Sequence, residues 1–267
     1  MNSQFEKEVK ASLLGKRVEE KLEYTAEILV PISRENRLYE QPYPVYGRDI
    51  WNAYEFYYRD EGKNVHVCRC RIEYPQSSPY IVESKSLKLY LNSFYKRSYQ
   101  SPEQVEKQIK TDLEAIIKDT VSVRFLDIES EATAIPETYI CLEKHVQDIR
   151  SFKELQFKEK QLSETVYTHT FRSLCPVTSQ PDFASIIIYY EGKQIEYESL
   201  LSYLVSFSEH QGFHEQCIDQ IFNMIASQRH VKHCAVQGLF TRRGGIDINP
   251  FRSTLPDKEL YLNLSRQ

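Results

Sequence analysis

A nine-residue motif occurs twice in this chain, and the repetition restricts the fold more than any other feature of the sequence. SLKLYLNSF runs from Ser86 to Phe94 and SLLSYLVSF from Ser199 to Phe207; six of the nine positions are identical, at an offset of 199 − 86 = 113 residues. Self-similarity over such a distance marks a duplicated unit. The surroundings follow one plan in both halves. In the first, VHVCRCRIEY and PYIVES read as strands leading into the helix at Ser86, and a second helix opens at Ser101. Ser101 suits an N-cap, Pro102 the first helical position and Gln104 a capping box, after which Val105, Ile109, Leu113 and Ile116 form one apolar face. In the second half, FASIIIYY and KQIEYES read as strands separated by a turn at Glu191 and Gly192. The helix at Ser199 follows, and Ile218, Ile221, Phe222 and Ile225 mark another at helical spacing. Strands resume as TVSVRFL near Val121 and HVKHCAVQGLF near Val231, so the order strand, strand, helix, helix, strand, strand appears twice. The acidic, unpatterned DIESEATAIPET lies between the copies. The expected organisation is one module over residues 1–128 and a linker plus second module over 129–267.

Composition narrows the class. Nineteen tyrosines and thirteen phenylalanines against eight glycines favour an α+β chain rich in strands over a helical bundle. With 34 basic and 38 acidic residues, the formal charge of −4 offers no basic footprint for a phosphate backbone, so nucleic acid is not expected as a direct partner. The opening MNSQFEKEVK has no apolar core of a secretory signal, and the longest apolar runs are strand length. A soluble, cytoplasmic protein with no membrane partner is the expectation. The six cysteines show no CxxC spacing and no dense pairing, so reduced thiols are expected rather than a disulfide framework or a zinc ribbon.

Chemistry concentrates in a few short stretches. CPVTSQPD sets Cys175 at the end of the alternating run Val166 to Ser173, with Asp182 seven positions on, before the β-branched run FASIIIYY. A thiol and an acid thus share a loop held between strands, where rigid scaffolds present reactive groups. Taken alone, Cys175 reads as a buried, inert thiol. His214 and Glu215 open the second helix of the C-terminal copy, and helical spacing puts His214 on the face of Ile218 and Ile221. Alone, they read as a core histidine and a first-turn acid complementing the helix dipole. Serine and proline stand near the equivalent places of the first copy, which makes the pair particular to one half. In VESKS, Glu83 leaves a strand ahead of Ser84 and Lys85; a carboxylate there can accept two hydrogen bonds from the amidine-like edge of a purine or pterin, and Lys85 can meet a phosphate. TRRGGIDINP places Arg242 and Arg243 before two glycines, a backbone suited to a tight turn near an anion, or equally to an ordinary turn with solvated arginines. No GxGxxG follows a strand and no GxxxxGK is present, so a nucleotide would be held outside the usual frameworks. His66, Cys68 and Cys70 alternate along a strand, and His233 adjoins Cys234; neither set has zinc spacing, and no metal is expected.

Together, VESKSLKLYLNSF, CPVTSQPD, SFSEHQGFHEQC and TRRGGIDINPFRS resemble the NADPH-dependent 7-cyano-7-deazaguanine reductases, the nitrile reductases of queuosine biosynthesis, over nearly the whole chain. The resemblance is to the long, two-module branch. It implies two tandem tunnelling-fold (T-fold) modules, each an antiparallel sheet with two helices packed on one face, assembled as a homodimer. By motif position it implies that Cys175 attacks the nitrile carbon of 7-cyano-7-deazaguanine to give a covalent thioimidate while Asp182 moves the protons. Glu83 and Glu215 would hold the deazaguanine ring, with His214 beside the reacting carbon and Val82 and Ser84 around Glu83. Ser84, Lys85, Arg243 and Gly244 would bind NADPH, assisted by Arg242. The chain departs from the pattern at Phe183 and Ala184, where many long-branch members have tryptophan and glycine, and at Leu174, where asparagine is frequent. Two other functions fit the same residues: a thiol hydrolase acting on a purine-like or pterin-like nitrile or amide, and a non-catalytic purine-binding scaffold.

Overall fold

The computed structural model describes residues 23–34, 42–129 and 132–267; the opening MNSQFEKEVK and part of the acidic linker lie outside the described residues. The chain forms two compact units, the first from residues 23–34, 50–129 and 242–247 and the second from 42–49, 132–241 and 248–267.

In the first unit the elements are β1 (Pro31–Ser33), β2 (Tyr46–Asp60, its first four residues belonging to the second unit), β3 (Val65–Pro75), β4 (Tyr80–Val82), α1 (Ser84–Asn92), β5 (Ser98–Tyr99), α2 (Pro102–Ile117) and β6 (Ser122–Leu126). The sheet runs β6, β3, β2, with β6 antiparallel to β3 and the two-residue β5 parallel to β2. PYIVES does not continue this sheet. It supplies β4, which pairs with β1 in a separate two-stranded ribbon. Helix α2 begins as the sequence dictates: Ser101 accepts a hydrogen bond from the Gln104 amide and Pro102 occupies the first turn. The Gln104 side chain reaches Gln100 rather than the cap residue. Its buried stripe is Val105, Ile109, Leu113 and Ile117, a strict four-residue spacing that leaves Ile116 half-buried.

The second unit comprises β7 (Ile140–Cys141), β8 (Phe157–Leu174), β9 (Pro181–Ile195), α3 (Tyr197–Val205), α4 (His214–Ala226), β10 (Val231–Phe240) and β11 (Ile246–Ser253, its first two residues in the first unit). Sheet order is β11, β10, β9, β8, β7; all of these pairs are antiparallel except the short β7 on β8. On one face Ile186, Ile188 and Tyr190 of β9 pack with Leu200, Leu204, Ile218, Ile221, Phe222 and Ile225 of the helices. On the other, Ile187, Ala235 and Leu239 pack with Phe251, Leu260 and Leu264. A strand covered on both faces needs no polar alternation, which accounts for the continuous apolar run in FASIIIYY.

The expected turn at Gly192 does not form. Strand β9 runs straight through it, pairing Gly192 with Leu162 and Val231. The glycine serves a close approach instead: φ is +150°, and a Cβ there would lie 2.1 Å from the His230 carbonyl oxygen. The duplication is visible in the backbone. Helix α1 and the 3-10 turn Ser93–Lys96 recur as α3 and Ser206–Glu209, every boundary shifted by 113 residues (84 to 197, 92 to 205, 93 to 206, 96 to 209).

Gly238 on β10 lets α4 settle on the sheet, since an added Cβ would meet Ile218 Cδ1 at 2.7 Å. Overpacking of this kind costs about 1–3 kcal/mol. Gly238→Ala is therefore expected to lower the denaturant midpoint at unchanged slope, and an unaltered midpoint would show that α4 has room to move.

Candidate active site

The CPVTSQPD stretch is a hairpin connection between β8 and β9. Ser173 faces Asp182 and Leu174 faces Pro181 across the ladder. Beyond them the loop closes on itself: the Cys175 amide donates to the Gln180 carbonyl (2.9 Å) and the Ser179 amide to the Cys175 carbonyl (3.0 Å). Ser179 takes φ +54°, in the left-handed region that a serine rarely adopts. Cys175 is buried, 5% exposed.

Asp182 stands on the helix-covered face of β9, in alternation with Ala184, Ile186 and Ile188. There it meets the first turn of α4: His214 Nε2 lies 3.4 Å from Asp182 Oδ2, and both side chains are nearly buried. The His214 ring stacks on Phe240 with centroids 3.8 Å apart and planes 6° from parallel. Its Nδ1 is buried and has no hydrogen-bond partner among the described residues. Glu215, the next residue, is 3% exposed. One unit thus brings Cys175, Asp182, His214 and Glu215 onto the ends of β8, β9 and α4.

Helix α4 is pinned to the unit by charge. Arg252 on β11 is fully buried; its Nε donates to Asp219 of α4 at 2.5 Å and its Nη1 to Asp49 at 2.8 Å. Burial alone would lower its pKa, but the two carboxylates outweigh that and raise it, so the guanidinium stays charged. Burial keeps two other cysteines in the thiol form. Burial pushes Cys217 up to about 12, with Ser173 opposing, and Cys68 also to about 12.

The remaining candidates sit in the first unit. Val82 closes β4, and Glu83 caps α1, its two carboxylate oxygens accepting from the amides of Lys85 and Ser86 at 2.8 Å each. Glu83 is 1% exposed; burial raises its pKa, and the backbone hydrogen bonds only partly offset this. Ser84 and Lys85 form the first turn of α1, half-buried. Arg243 and Gly244 lie in a tight turn, with the Arg243 amide bonded to the Ile246 carbonyl at 2.9 Å and Gly244 and Gly245 at φ +62° and +79°. Arg242 lies over the Tyr54 ring at 4.2 Å. A Cβ on Gly244 would touch Lys88 Nζ at 3.0 Å, so the turn needs glycine both for its φ and for the lysine that crosses it. A cavity of about 260 Å³ adjoins this turn, lined among others by Glu55, Tyr57, Lys88, Asn92 and Tyr95.

The departures from the family pattern adjoin Cys175 and Asp182 in sequence. Phe183 is 45% exposed and alternates to the face opposite Asp182, Ala184 is buried under the helices, and Leu174 contributes its backbone, bonded to His210 and Gly212. Sequence reasoning missed Phe240, Lys88 and the Arg252 cluster. Lys88 alone had a signal, one helical turn after Lys85.

One of the two α+β units thus carries a buried thiol on a hairpin loop and, beside that hairpin, an acid paired with an imidazole. Residues 21–125 match the family described as nitrile reductase, 7-cyano-7-deazaguanine-reductase N-term, and residues 181–259 match that described as QueF-like protein. Curated proteins named NADPH-dependent 7-cyano-7-deazaguanine reductase are similar throughout. That of Coxiella burnetii is 37% identical over 262 residues, covering 92% of each chain. That of Desulfotalea psychrophila is 37% identical over 266 residues, covering 95% of this chain and 96% of its own. That of Burkholderia mallei is 38% identical over 254 residues, covering 91% and 93%. The chain belongs to the family of NADPH-dependent 7-cyano-7-deazaguanine reductases.

Two measurements test this description. Arg252→Met strands two carboxylates beside an apolar chain and is expected to cost about 3–5 kcal/mol in denaturant unfolding; a loss below about 1 kcal/mol would deny the pinning of α4. Glu83 holds its proton more tightly folded than unfolded, so its contribution to stability falls as pH rises from about 4.5 toward the raised value. Glu83→Gln should flatten the stability–pH curve in that window, and an unchanged slope would contradict the burial effect.

Proposed function

We propose that this protein reduces the nitrile of 7-cyano-7-deazaguanine to the aminomethyl group of 7-aminomethyl-7-deazaguanine, with NADPH as reductant, in queuosine biosynthesis. Family membership over nine-tenths of the chain supports the reaction, and the pairing of Asp182 with His214 at the mouth of the Cys175 loop is the observation that carries the mechanism.

A nitrile is a weak electrophile, so a strong nucleophile must engage it first. Cys175 attacks as thiolate. The S–C bond forms, one C–N π bond breaks, and the nitrogen takes a proton from Asp182, giving a thioimidate. NADPH, when bound, would supply the two hydrides, one to this carbon and one to the imine carbon that follows. Between the two transfers the sulfur leaves as thiolate and the C=N bond re-forms; Asp182 again moves the proton that completes the amine. His214, fixed by Phe240, holds Asp182 in place and stands beside the reacting carbon. Glu215 and Glu83 hold the deazaguanine ring, with Val82 and Ser84 around Glu83. Burial of Cys175, Asp182 and Glu215 limits water around them, which protects the imine from hydrolysis.

Ser84, Lys85, Arg243 and Gly244 are the proposed NADPH ligands. The left-handed turn at Gly244, with the Lys88 ammonium across it, suits a phosphate anion, and the adjoining cavity leaves room for part of a nucleotide. We further propose that the chain is built of tandem T-fold modules, residues 1–128 and 129–267, working as a homodimer; the compact units differ from those bounds in that residues 42–49 group with the second and 242–247 with the first. Six free cysteines suit the reducing cytoplasm. Among the described residues no helix is long and apolar enough to cross a membrane.

Incubated with the nitrile and no NADPH, the protein should gain the whole substrate mass, and Cys175→Ala should gain nothing; an equal mass gain, or none, in both proteins would sink the covalent route. Asp182→Asn is expected to bind the nitrile while losing about 10²- to 10⁴-fold in turnover, and near-normal turnover would move proton transfer to another group.

A further inference from the structure

The loop that carries Cys175 is held from outside by the segment between α3 and α4. Leu174, the residue before the nucleophile, makes a parallel bridge with Gln211: its amide donates to the His210 carbonyl at 2.8 Å, and the Gly212 amide donates to the Leu174 carbonyl at 3.1 Å. On the far side of the loop, Gln211 Nε2 donates to Ser179 Oγ at 2.8 Å. One residue therefore grips both ends of the six-residue loop, by its backbone neighbours at Leu174 and by its side chain at Ser179.

Ser179 is the strained point of that loop. Its φ of +54° is a conformation that a serine adopts at a cost, and such residues persist only where their surroundings hold them. Its amide closes the loop onto the Cys175 carbonyl, next to the bond from the Cys175 amide to Gln180. Releasing Ser179 would loosen the hydrogen bonds on both sides of the nucleophile. The same segment leads through Phe213 into His214, so the clamp also ties the loop to the helix bearing the imidazole.

We propose that Gln211 is a positioning residue for Cys175: its side-chain amide holds Ser179 in the left-handed conformation and thereby fixes the thiol for attack. The proposal rests on Cys175 being the nucleophile. Gln211 and Ser179 are both exposed, so losing their contact should leave the thermal midpoint unchanged. The consequence lies in orientation, where small misplacements of a reacting atom are costly.

The test compares wild type, Gln211→Met, Ser179→Ala and the double variant in two rate measurements. One is formation of the covalent adduct with 7-cyano-7-deazaguanine without NADPH, and the other is alkylation of Cys175 by iodoacetamide, located by peptide mass. Each single variant should slow adduct formation by about three- to tenfold and speed alkylation, because a loosened loop uncovers a buried thiol while spoiling its aim. The double variant should match the singles, since both remove one contact. Unchanged rates in both assays, or additive effects, would overturn the clamp. If wild type forms no adduct, the nucleophile assignment fails, and the alkylation rates still decide whether Gln211 holds the loop.

Discussion

The register of β8 on β9 is the constraint on which the site depends. Slipping one strand by a single residue would turn Asp182 from the helix-covered face to the one where Phe183 now stands, and would carry Ile186 and Ile188 out of the core. The apolar contacts on both faces of β9 therefore specify where the acid points. The hairpin loop inherits that precision, because its two ends, Leu174 and Pro181, are themselves a ladder pair. Packing far from the thiol thus decides the chemistry that it can do.

Buried charge does a second, separate task. Arg252 with Asp219 and Asp49 fixes the middle of α4, and Gly238 sets how closely that helix approaches the sheet. His214 and Glu215 stand at the N-terminus of the helix so fixed. In the other unit the N-terminus of α1 is organised differently, by a glutamate that caps its own helix. The corresponding Glu196 ahead of α3 makes no such side-chain cap. The duplicated frame has kept its backbone and diverged in what its helix entrances hold.

Much of this was legible in the sequence, for identifiable reasons. The repeat predicted paired helices because their apolar spacing survives divergence, and the capped start of α2 followed from Ser101 and Pro102 alone. Strand β2 was not legible: Ile50 to Ala53 are buried in succession, so the alternation that betrays a strand is missing. Gly192 was misread because a glycine in a strand signals either a turn or a close backbone approach, and only the position of His230 decides. At the site, CPVTSQPD and the His214–Glu215 pair were readable as residues, whereas the stack of His214 on Phe240 joins elements distant in sequence and leaves no local trace. Gln211 gave no sign either, since its importance lies in the conformation of Ser179.

The most direct test of the account is to count reducing equivalents. With limiting 7-cyano-7-deazaguanine, the protein should oxidise two NADPH for each nitrile consumed and yield the primary amine, because a nitrile needs two hydrides to reach it. Consumption of the nitrile with no NADPH oxidation and release of ammonia would make the protein a thiol hydrolase and contradict the account.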